Sequence, residues 1–390
     1  MHIVQVTPRF PPAIGGVEEH VYRISLELKK RGHRITVITS NDIDGQNHSP
    51  QTETVNGVDV YRFPLFAPKL GRELWFIPGI LEIFGQIEPD VVHVHGYRCL
   101  SSFNAAHLSH MNNVPVVLTP HGIYPSRSAF NALLKMIFDH TLGHMLLSFS
   151  ERIIALSEHN VHLIMQMGVP ANKISVVPNG ISPQEYTYPE RSKNILNELG
   201  SDGPVLLYVG RIDWNKQIEK VVESMPLILK EFPSAKFVVV GPDYANLTNE
   251  LLSLAQKLHV RHSLIMTGSV SASRLKEFYS TADIFVLPSS YEGFGISMLE
   301  AMINRVPVIV SPTGGPGDIL QHGVHAWLLR NVTPEEIFRS VRTILTDQQL
   351  REGLVNKAYE LVREKYTWEK VVDMLEAIYR QAVAVRESNP

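Results

Sequence analysis

The sequence predicts an α/β protein of two units, each folded around a parallel sheet. Three observations carry that reading. Short apolar runs that end at glycine alternate with helical apolar stripes along most of the 390 residues. A composition shift at 182–199, with Pro183, Tyr186, Tyr188, Pro189, Glu190, Arg191 and Lys193, separates a first such series from a second. Within the second, the stretch Ser290–Glu300 leaves the apolar run 283–288 through a glycine-rich turn and enters a helical face of Ile296, Met298, Leu299, Met302 and Ile303.

Hydrophobic residues make up 44% and charged residues 19%, the balance of a globular chain with material for two or three domains. A formal net charge of −3 supplies no basic field, so no nucleic-acid partner is expected. The single cysteine, Cys99, excludes a disulfide framework and a cysteine metal cluster. The amino terminus enters a strand pattern without the basic start and long apolar core of a signal peptide, and no apolar run reaches bilayer length. The expected location is cytoplasmic.

The first series opens with a buried strand, Ile3 to Val6, and a loop, Pro8 to Gly16. Val17, Val21, Ile24 and Leu28 then form a helical stripe, with Glu18 and Glu19 in its first turn. Gly32 ends this helix, and Ile35 to Thr39 form the next strand. Gly15 and Gly16 at the helix start read either as a flexible turn or as backbone that lets a phosphate approach. They are not a GxGxxG, so a dinucleotide fingerprint is absent. Val55 to Phe63 reads as a hairpin around Asn56-Gly57.

Residues 67–81 mix Leu70, Leu74, Trp75, Phe76, Ile77 and Ile80 with Lys69 and Arg72, which suits core with a polar rim or a surface for an acceptor or membrane. Val91 to His95 is a strand that places His93 and His95 on one sheet face, two ligands being too few for a metal. His95 reads as a strand-end residue and His93 as structural. Val114 to Thr119 repeats the pattern and is followed by His121-Gly122, at the carboxyl edge where open α/β sheets bind ligands. A satisfied loop histidine is the other reading of His121. Phe130 to Phe149 reads as a long apolar helix. Arg152 to Leu156 is a strand with Ser157 as a helix N-cap, and Ile174 to Val177 is a strand before the turn Pro178-Asn179-Gly180.

In the second series, Val205 to Val209 forms a strand ending at Gly210-Arg211, with Lys216 shortly after. These two cations are either a solvated basic loop or a pair that neutralises a diphosphate leaving group without a metal. No Asp-x-Asp pair stands at a strand end to hold a divalent ion. Helix 219–231, strand 236–240, helix 246–259 and strand 263–267 follow, then Gly268. In the stretch Ser290–Glu300, Glu292 sits in the turn and Glu300 lies a turn into the helix, whose first N–H groups around Phe294, Gly295 and Ile296 are donors for an anion. A ligand carrying both phosphate and hydroxyls, such as a nucleotide sugar, suits that arrangement. Solvated surface glutamates after a common glycine turn are the alternative. Val306 to Val310, the loop 313–318 with Gly314-Gly315, a short strand 327–329 and helices from Pro334 complete the chain.

In this order, Gly15-Gly16-Val17-Glu18, His121-Gly122, Pro178-Asn179-Gly180, Gly210-Arg211 with Lys216, Gly241, and Glu292 with Glu300 resemble the retaining glycosyltransferases of family 4, end to end. The terminal Tyr366-Thr367-Trp368-Glu369 is similar to that family's closing helix. The resemblance implies the GT-B fold, two Rossmann-like domains with parallel sheets facing a central cleft. Residues 1–181 would hold the acceptor, 182–368 the nucleotide sugar, and a helix at about 369–390 would pack back on the first domain. It implies that Arg211 and Lys216 grip the diphosphate with the Gly16 backbone, and that Glu300 bonds the ribose. Glu292, Phe294, Gly295 and His121 would meet the donor sugar, and the surroundings of Gly268 and Val270 would select the base. The implied reaction retains anomeric configuration. It needs no metal and no cofactor beyond a nucleoside-diphosphate sugar, with a UDP-sugar favoured and GDP-mannose next. The acceptor would be a saccharide or a lipid-linked saccharide, the latter with peripheral contact to the inner face of a membrane.

The sequence departs from the family pattern at Gln217 and Arg305, where glycine is frequent, at Asp318 for glutamate, and at Ala326 for glycine. A nucleotide-sugar 2-epimerase, a phosphorylase and a non-catalytic sugar-nucleotide-binding relative are the competing readings. A dehydrogenase is disfavoured by the missing fingerprint.

Overall fold

The computed structural model describes residues 1–13, 15–43, 46–47, 52–66, 75–122, 129–186 and 191–388. The chain divides into two units, Met1–Gly180 with Trp368–Pro390, and Ile181–Thr367.

The first unit carries β1 (His2–Val6), β2 (Arg34–Ser40), the two-residue ribbon β3 (Asp42–Ile43) and β4 (Gln46–Asn47), and the hairpin β5 (Thr52–Val55) and β6 (Val58–Phe63). Then come β7 (Val91–His95), β8 (Val116–Thr119), β9 (Arg152–Ala155) and β10 (Ile174–Val176). Eight strands form one sheet in the order β10-β9-β8-β7-β1-β2-β6-β5, parallel except for the edge strand β5. The hairpin turn forms at Asn56 (φ 49) and Gly57 (φ 81), the left-handed pair that a two-residue β-turn requires.

One face of this sheet is covered by α1 (Gly16–Lys30) and α15 (Trp368–Ser388). Val21, Ile24 and Leu28 of α1 bury with Val371, Val372 and Leu375 of α15 against Ile3, Val37 and Val91. Arg31 after α1 binds Asp373 at 2.6 Å and Glu376 at 3.1 Å, which fixes the seat of α15 at its polar rim. The other face packs on α2 (Gly79–Ile83), α3 (Leu100–Met111), α5 (His144–Phe149) and α6 (Glu158–Gln166), with Ile80, Ala105, Ala106 and Leu146 fully buried.

The second unit is a six-stranded, wholly parallel sheet: β11 (Val205–Val209), β12 (Lys236–Val240), β13 (Leu264–Gly268), β14 (Ile284–Leu287), β15 (Val308–Val310) and β16 (Trp327–Leu328). Its order is β13-β12-β11-β14-β15-β16. α7 (Lys193–Leu199), α8 (Ile218–Glu231), α9 (Thr248–Lys257), α10 (Ala272–Thr281), α11 (Ile296–Ile303), α12 (Gly315–Ile319), α13 (Pro334–Thr346) and α14 (Gln348–Lys365) complete it, each inner strand being almost wholly buried.

Three features differ from the sequence reading. Helices α3 and α10 escape it; α3 lacks an apolar stripe, since it buries Ser101, Ser102, Ala105, Ala106 and Ser109, whereas α10 buries Phe278 and Tyr279. The segment read as loop 313–318 contains the short helix α12, with Pro316 in its first turn. The long helix at 130–149 is interrupted. α4 (Ala129–Phe138) meets α5 through a π-turn, Asp139–Gly143, and Leu133, Met136 and Ile137 point to solvent rather than core. Of the apolar segment 67–81, Ile77 and Ile80 are core, whereas Lys69, Leu70, Arg72 and Leu74 lie outside the described residues.

Candidate active site

In the second sheet, β11 is flanked by β12 on one side and β14 on the other, so the loops leaving β11 and β14 diverge. Open α/β sheets take their ligands at such a switch point. Arg211 and Lys216 follow β11; Glu292 follows β14.

Lys216 closes a short 3-10 turn, Trp214–Lys216, and its ammonium lies 2.6 Å from Glu292 Oε2, the two side chains being 11% and 14% exposed. The two loops are also tied through backbone: the Ser290 N–H donates to the Asn215 carbonyl at 2.8 Å, and Asn215 Nδ2 to the Tyr291 carbonyl at 3.3 Å. The Arg211 carbonyl accepts from the Tyr208 hydroxyl at 2.8 Å. Among the described residues, the Arg211 guanidinium has no carboxylate within ion-pair distance.

Glycines at the strand ends serve chain crossings. Gly210 N–H donates to the Val240 carbonyl at 3.0 Å and Gly241 N–H to the Gly268 carbonyl at 2.9 Å, so three strand ends stand side by side. A Cβ on Gly241 would strike the Gly210 carbonyl. Gly314 (φ 67) has no room for a Cβ against the Glu292 carbonyl, which accepts from Gly315 N–H at 3.0 Å. The close approach at Gly314-Gly315 is therefore to the Glu292 turn itself.

Gly295 (φ 88) precedes α11, and Phe294 is buried with its ring 5.9 Å from that of Tyr366, so only the Phe294 backbone is presented. At Ile296 the helix begins. Further along it, the Glu300 carboxylate accepts from Tyr186 at 2.8 Å on Oε1 and from Tyr279 at 2.6 Å on Oε2. Burial first, then the Glu300 charge, pushes the Tyr279 hydroxyl well above its usual range, which keeps it a donor. Gly268 (φ 67) closes β13, and Val270, half-buried, follows it, two strands from Arg211.

In the first sheet the switch point lies between β1 and β7. Gly15 and Gly16 stand at the start of α1, and the Glu18 carboxylate folds over Gly15, where a Cβ would run into it. His121 follows β8 with φ 58, in the left-handed region that few residues other than glycine adopt. Its Nε2 lies 2.8 Å from His95 Nδ1, and His95 Nε2 lies 2.7 Å from Gln5 Oε1. His93 bonds the Tyr379 hydroxyl and Thr119 Oγ1, each at 2.8 Å.

His20, on α1, was not singled out by the sequence reading. Its Nδ1 donates to Asn179 Oδ1 at 2.7 Å, its Nε2 is buried without a partner, and its ring is 4.9 Å from that of His121. The available signal was a histidine inside the apolar stripe Val17, Val21, Ile24. Burial lowers His20 to about 4 and holds His93, His95 and His121 well below the ordinary range, with mutual repulsion among the rings adding to the last three. The cluster is neutral at neutral pH.

One ring nitrogen each from His20, His95 and His121 lies within 4.8 Å of the others, the ligand count of a three-histidine metal centre. Two of the three rings, however, already share a proton between His95 Nδ1 and His121 Nε2, where an ion would need both lone pairs. The donor set fits a hydrogen-bonded network better than a metal site.

Two family models match: "Glycosyltransferase Family 4" over residues 14–185 and "Glycosyl transferases group 1" over 192–361. An uncharacterized glycosyltransferase of Methanocaldococcus jannaschii is 32% identical over 98% of this chain and 99% of its own. The glycogen synthase of Mycobacterium tuberculosis is 24% identical over 98% and 95%, and the sulfoquinovosyl transferase SQD2 of Arabidopsis thaliana 25% over 91% and 68%. Among solved structures, Anabaena HepE in complex with UDP superposes with TM-score 0.80 at 19% identity, covering 98% of this chain and all of that one. WaaG, a glycosyltransferase of lipopolysaccharide biosynthesis, gives 0.71 at 16%, covering 96% and 99%. The chain belongs to the family 4 glycosyltransferases. It is an enzyme of the GT-B fold class, with two parallel-sheet α/β units.

Proposed function

We propose that the protein transfers a hexosyl group from a nucleoside-diphosphate sugar to a hydroxyl of a saccharide or lipid-linked acceptor, with retention and without a metal. The observation that carries the reading is the convergence of Arg211, Lys216 and Glu292 at the switch point of the second sheet, with Glu300 on the helix that leaves it. Arg211 and Lys216 hold the diphosphate, helped by the first turn of α11 and by the Gly15-Gly16 backbone. Glu300, oriented by two tyrosines, takes the ribose hydroxyls. Glu292 and the backbone at Gly295 meet the sugar, as does His121 from the first unit. Gly210 keeps backbone close to the phosphates, and Gly268 and Val270 border the base.

In the reaction the bond from the anomeric carbon to the diphosphate oxygen breaks, and the acceptor oxygen bonds the same face of that carbon. The acceptor proton passes to the departing phosphate. The two cations stabilise charge growing on the leaving group, a preorganised field that costs no rearrangement during the step. Removing either should cost on the order of 3 kcal/mol of transition-state stabilisation.

A UDP-sugar is the favoured donor, consistent with HepE, solved with UDP and with UDP-glucose. Relatives named phosphatidylinositol N-acetylglucosaminyltransferase accord with a lipid-linked acceptor. Among the described residues no helix is long and apolar enough to cross a membrane. Calorimetric titration with UDP and GDP, each with and without EDTA, tests the donor site. UDP binding that survives EDTA is expected. Preference for GDP would move the donor to GDP-mannose, and binding of neither would sink the diphosphate site. Incubation with donor alone separates transfer from epimerisation, since an epimerase would yield product without an acceptor.

A further inference from the structure

Buried histidines are a directional problem. A neutral imidazole has one donor and one acceptor nitrogen, and which is which follows from its neighbours. In the first unit those neighbours form one continuous line. His121 Nε2 meets His95 Nδ1 at 2.8 Å, His95 Nε2 meets Gln5 Oε1 at 2.7 Å, and Gln5 Nε2 donates to the Tyr379 hydroxyl at 3.4 Å. Tyr379 then meets His93 Nδ1, and His93 Nε2 meets Thr119 Oγ1, both at 2.8 Å. Gln5, His93, His95, Thr119 and Tyr379 are all fully buried, so no water shell can reverse a single link at low cost.

The Gln5 carboxamide sets the direction. Its Oε1 can only accept, so His95 carries its proton on Nε2 and offers a lone pair at Nδ1. His121 must then donate from Nε2. The nitrogen left over on His121 is Nδ1, and it carries a lone pair. The same logic runs the other way: Gln5 Nε2 donates to Tyr379, whose hydroxyl proton goes to His93 Nδ1, and His93 donates from Nε2 to Thr119. Every link is satisfied once, with no two donors or two acceptors facing each other.

We propose that Gln5 and His95 are positioning residues that lock His121 as the Nε2–H tautomer, so that His121 presents Nδ1 as an acceptor for a sugar hydroxyl. The inference rests on the reading of His121 as a donor-sugar contact. It adds that the sugar must offer a hydroxyl proton there, and that a sugar bearing only an acceptor at that position is discriminated against.

Long-range nitrogen–proton NMR of the full chain with 15N-labelled histidine, at neutral pH and without ligand, reads the tautomers directly. His121 and His95 should both be protonated on Nε2, with Nδ1 unprotonated. A His121 protonated on Nδ1, or averaging between the two, overturns the proposal. Gln5→Met keeps the shape and removes the acceptor; with an unchanged melting profile as the check on folding, His121 should lose its single tautomer and the transfer kcat should fall about tenfold, more than KM changes. An unaltered tautomer in Gln5→Met overturns it as well. Stoichiometric Zn²⁺ binding lost in His20→Ala would also overturn it, because an ion would displace the proton between His95 and His121. If instead His121→Ala transfers normally while the wild-type tautomer is as stated, the sugar contact falls and the fault lies in the reading of the reaction.

Discussion

The Lys216 ammonium and the Glu292 carboxylate lie 2.6 Å apart, nearly buried, between the loops that follow β11 and β14. The cation assigned to the diphosphate is thus already neutralised by the carboxylate assigned to the sugar. A diphosphate entering here competes with Glu292 for Lys216. Replacing Glu292 by Gln should therefore tighten UDP binding, on the order of tenfold or about 1.4 kcal/mol, while lowering transfer. Lys216→Met should weaken UDP and also strand the Glu292 charge, costing about 3 kcal/mol of stability. Calorimetry and thermal denaturation of the two variants check this. Unchanged or weaker UDP binding in Glu292→Gln would show that the carboxylate does not compete.

Gln217 and Arg305, two of the three positions where the sequence departs from a glycine of the family pattern, both adopt left-handed backbone, φ 50 and φ 59. That conformation strains a residue with a Cβ by roughly 1–2 kcal/mol. Gln217→Gly is expected to stabilise the protein by about 1 kcal/mol after the entropy of glycine is counted. Arg305→Gly should be near neutral, because Arg305 also donates to Asn356 Oδ1 at 3.0 Å and lies 4.0 Å over the Tyr359 ring. Equal stabilisation by both changes would mean that the Arg305 contacts contribute nothing.

Those two positions show how the sequence and the fold divide the information. The strands were legible because a parallel sheet buried on both faces writes itself as unbroken apolar runs such as Val205–Val209 and Ile284–Leu287. Arg211, Lys216, Glu292 and Glu300 stood out in the sequence through the glycine-rich turns near them and the family resemblance they carry. Strand order was not legible, and it is what brings the loops after β11 and β14 together. The Lys216–Glu292 pair and the two tyrosines on Glu300 depend on it. The line from His121 to Thr119 was hidden for the same reason, since its members come from β1, β7, β8 and α15. Helix α3 was hidden by serines and alanines, which pack closely without an apolar signature.

On α4, Leu133, Met136 and Ile137 are 48%, 52% and 50% exposed and share one helical face, spaced three and four residues apart. An apolar row of that kind suits the headgroup boundary of a bilayer, where a lipid-linked acceptor would be met. Full-length protein should sediment with lipid vesicles. A triple change of the three residues to Ser should cut that partition on the order of tenfold, with melting unchanged because little buried area is lost. Wild-type protein that stays in the supernatant with both zwitterionic and anionic vesicles would remove the membrane from the reading.

Acid should unfold the first unit early, and the histidines give the sign. Burial depresses His20 from an ordinary 6.5 to about 4, and His93, His95 and His121 are depressed in the same direction. Well above pH 6.5 neither state takes up these protons and stability is complete. As pH falls below that value the unfolded chain binds protons the folded chain refuses, so stability is lost until the folded rings titrate in turn. For His20 alone the loss reaches about 3 kcal/mol by pH 4. Denaturant melts between pH 7.5 and pH 5 should show stability falling with a slope of more than one proton, because four rings contribute. His20→Leu fits the apolar stripe of α1 and leaves Asn179 without its donor, so it lowers stability at every pH. Its slope over this range should nevertheless be shallower by up to one proton, and the slope is the quantity to compare, since it counts protons and is indifferent to a constant packing loss. A variant slope equal to that of wild type would mean that His20 titrates normally in the folded state and is not held neutral by its burial.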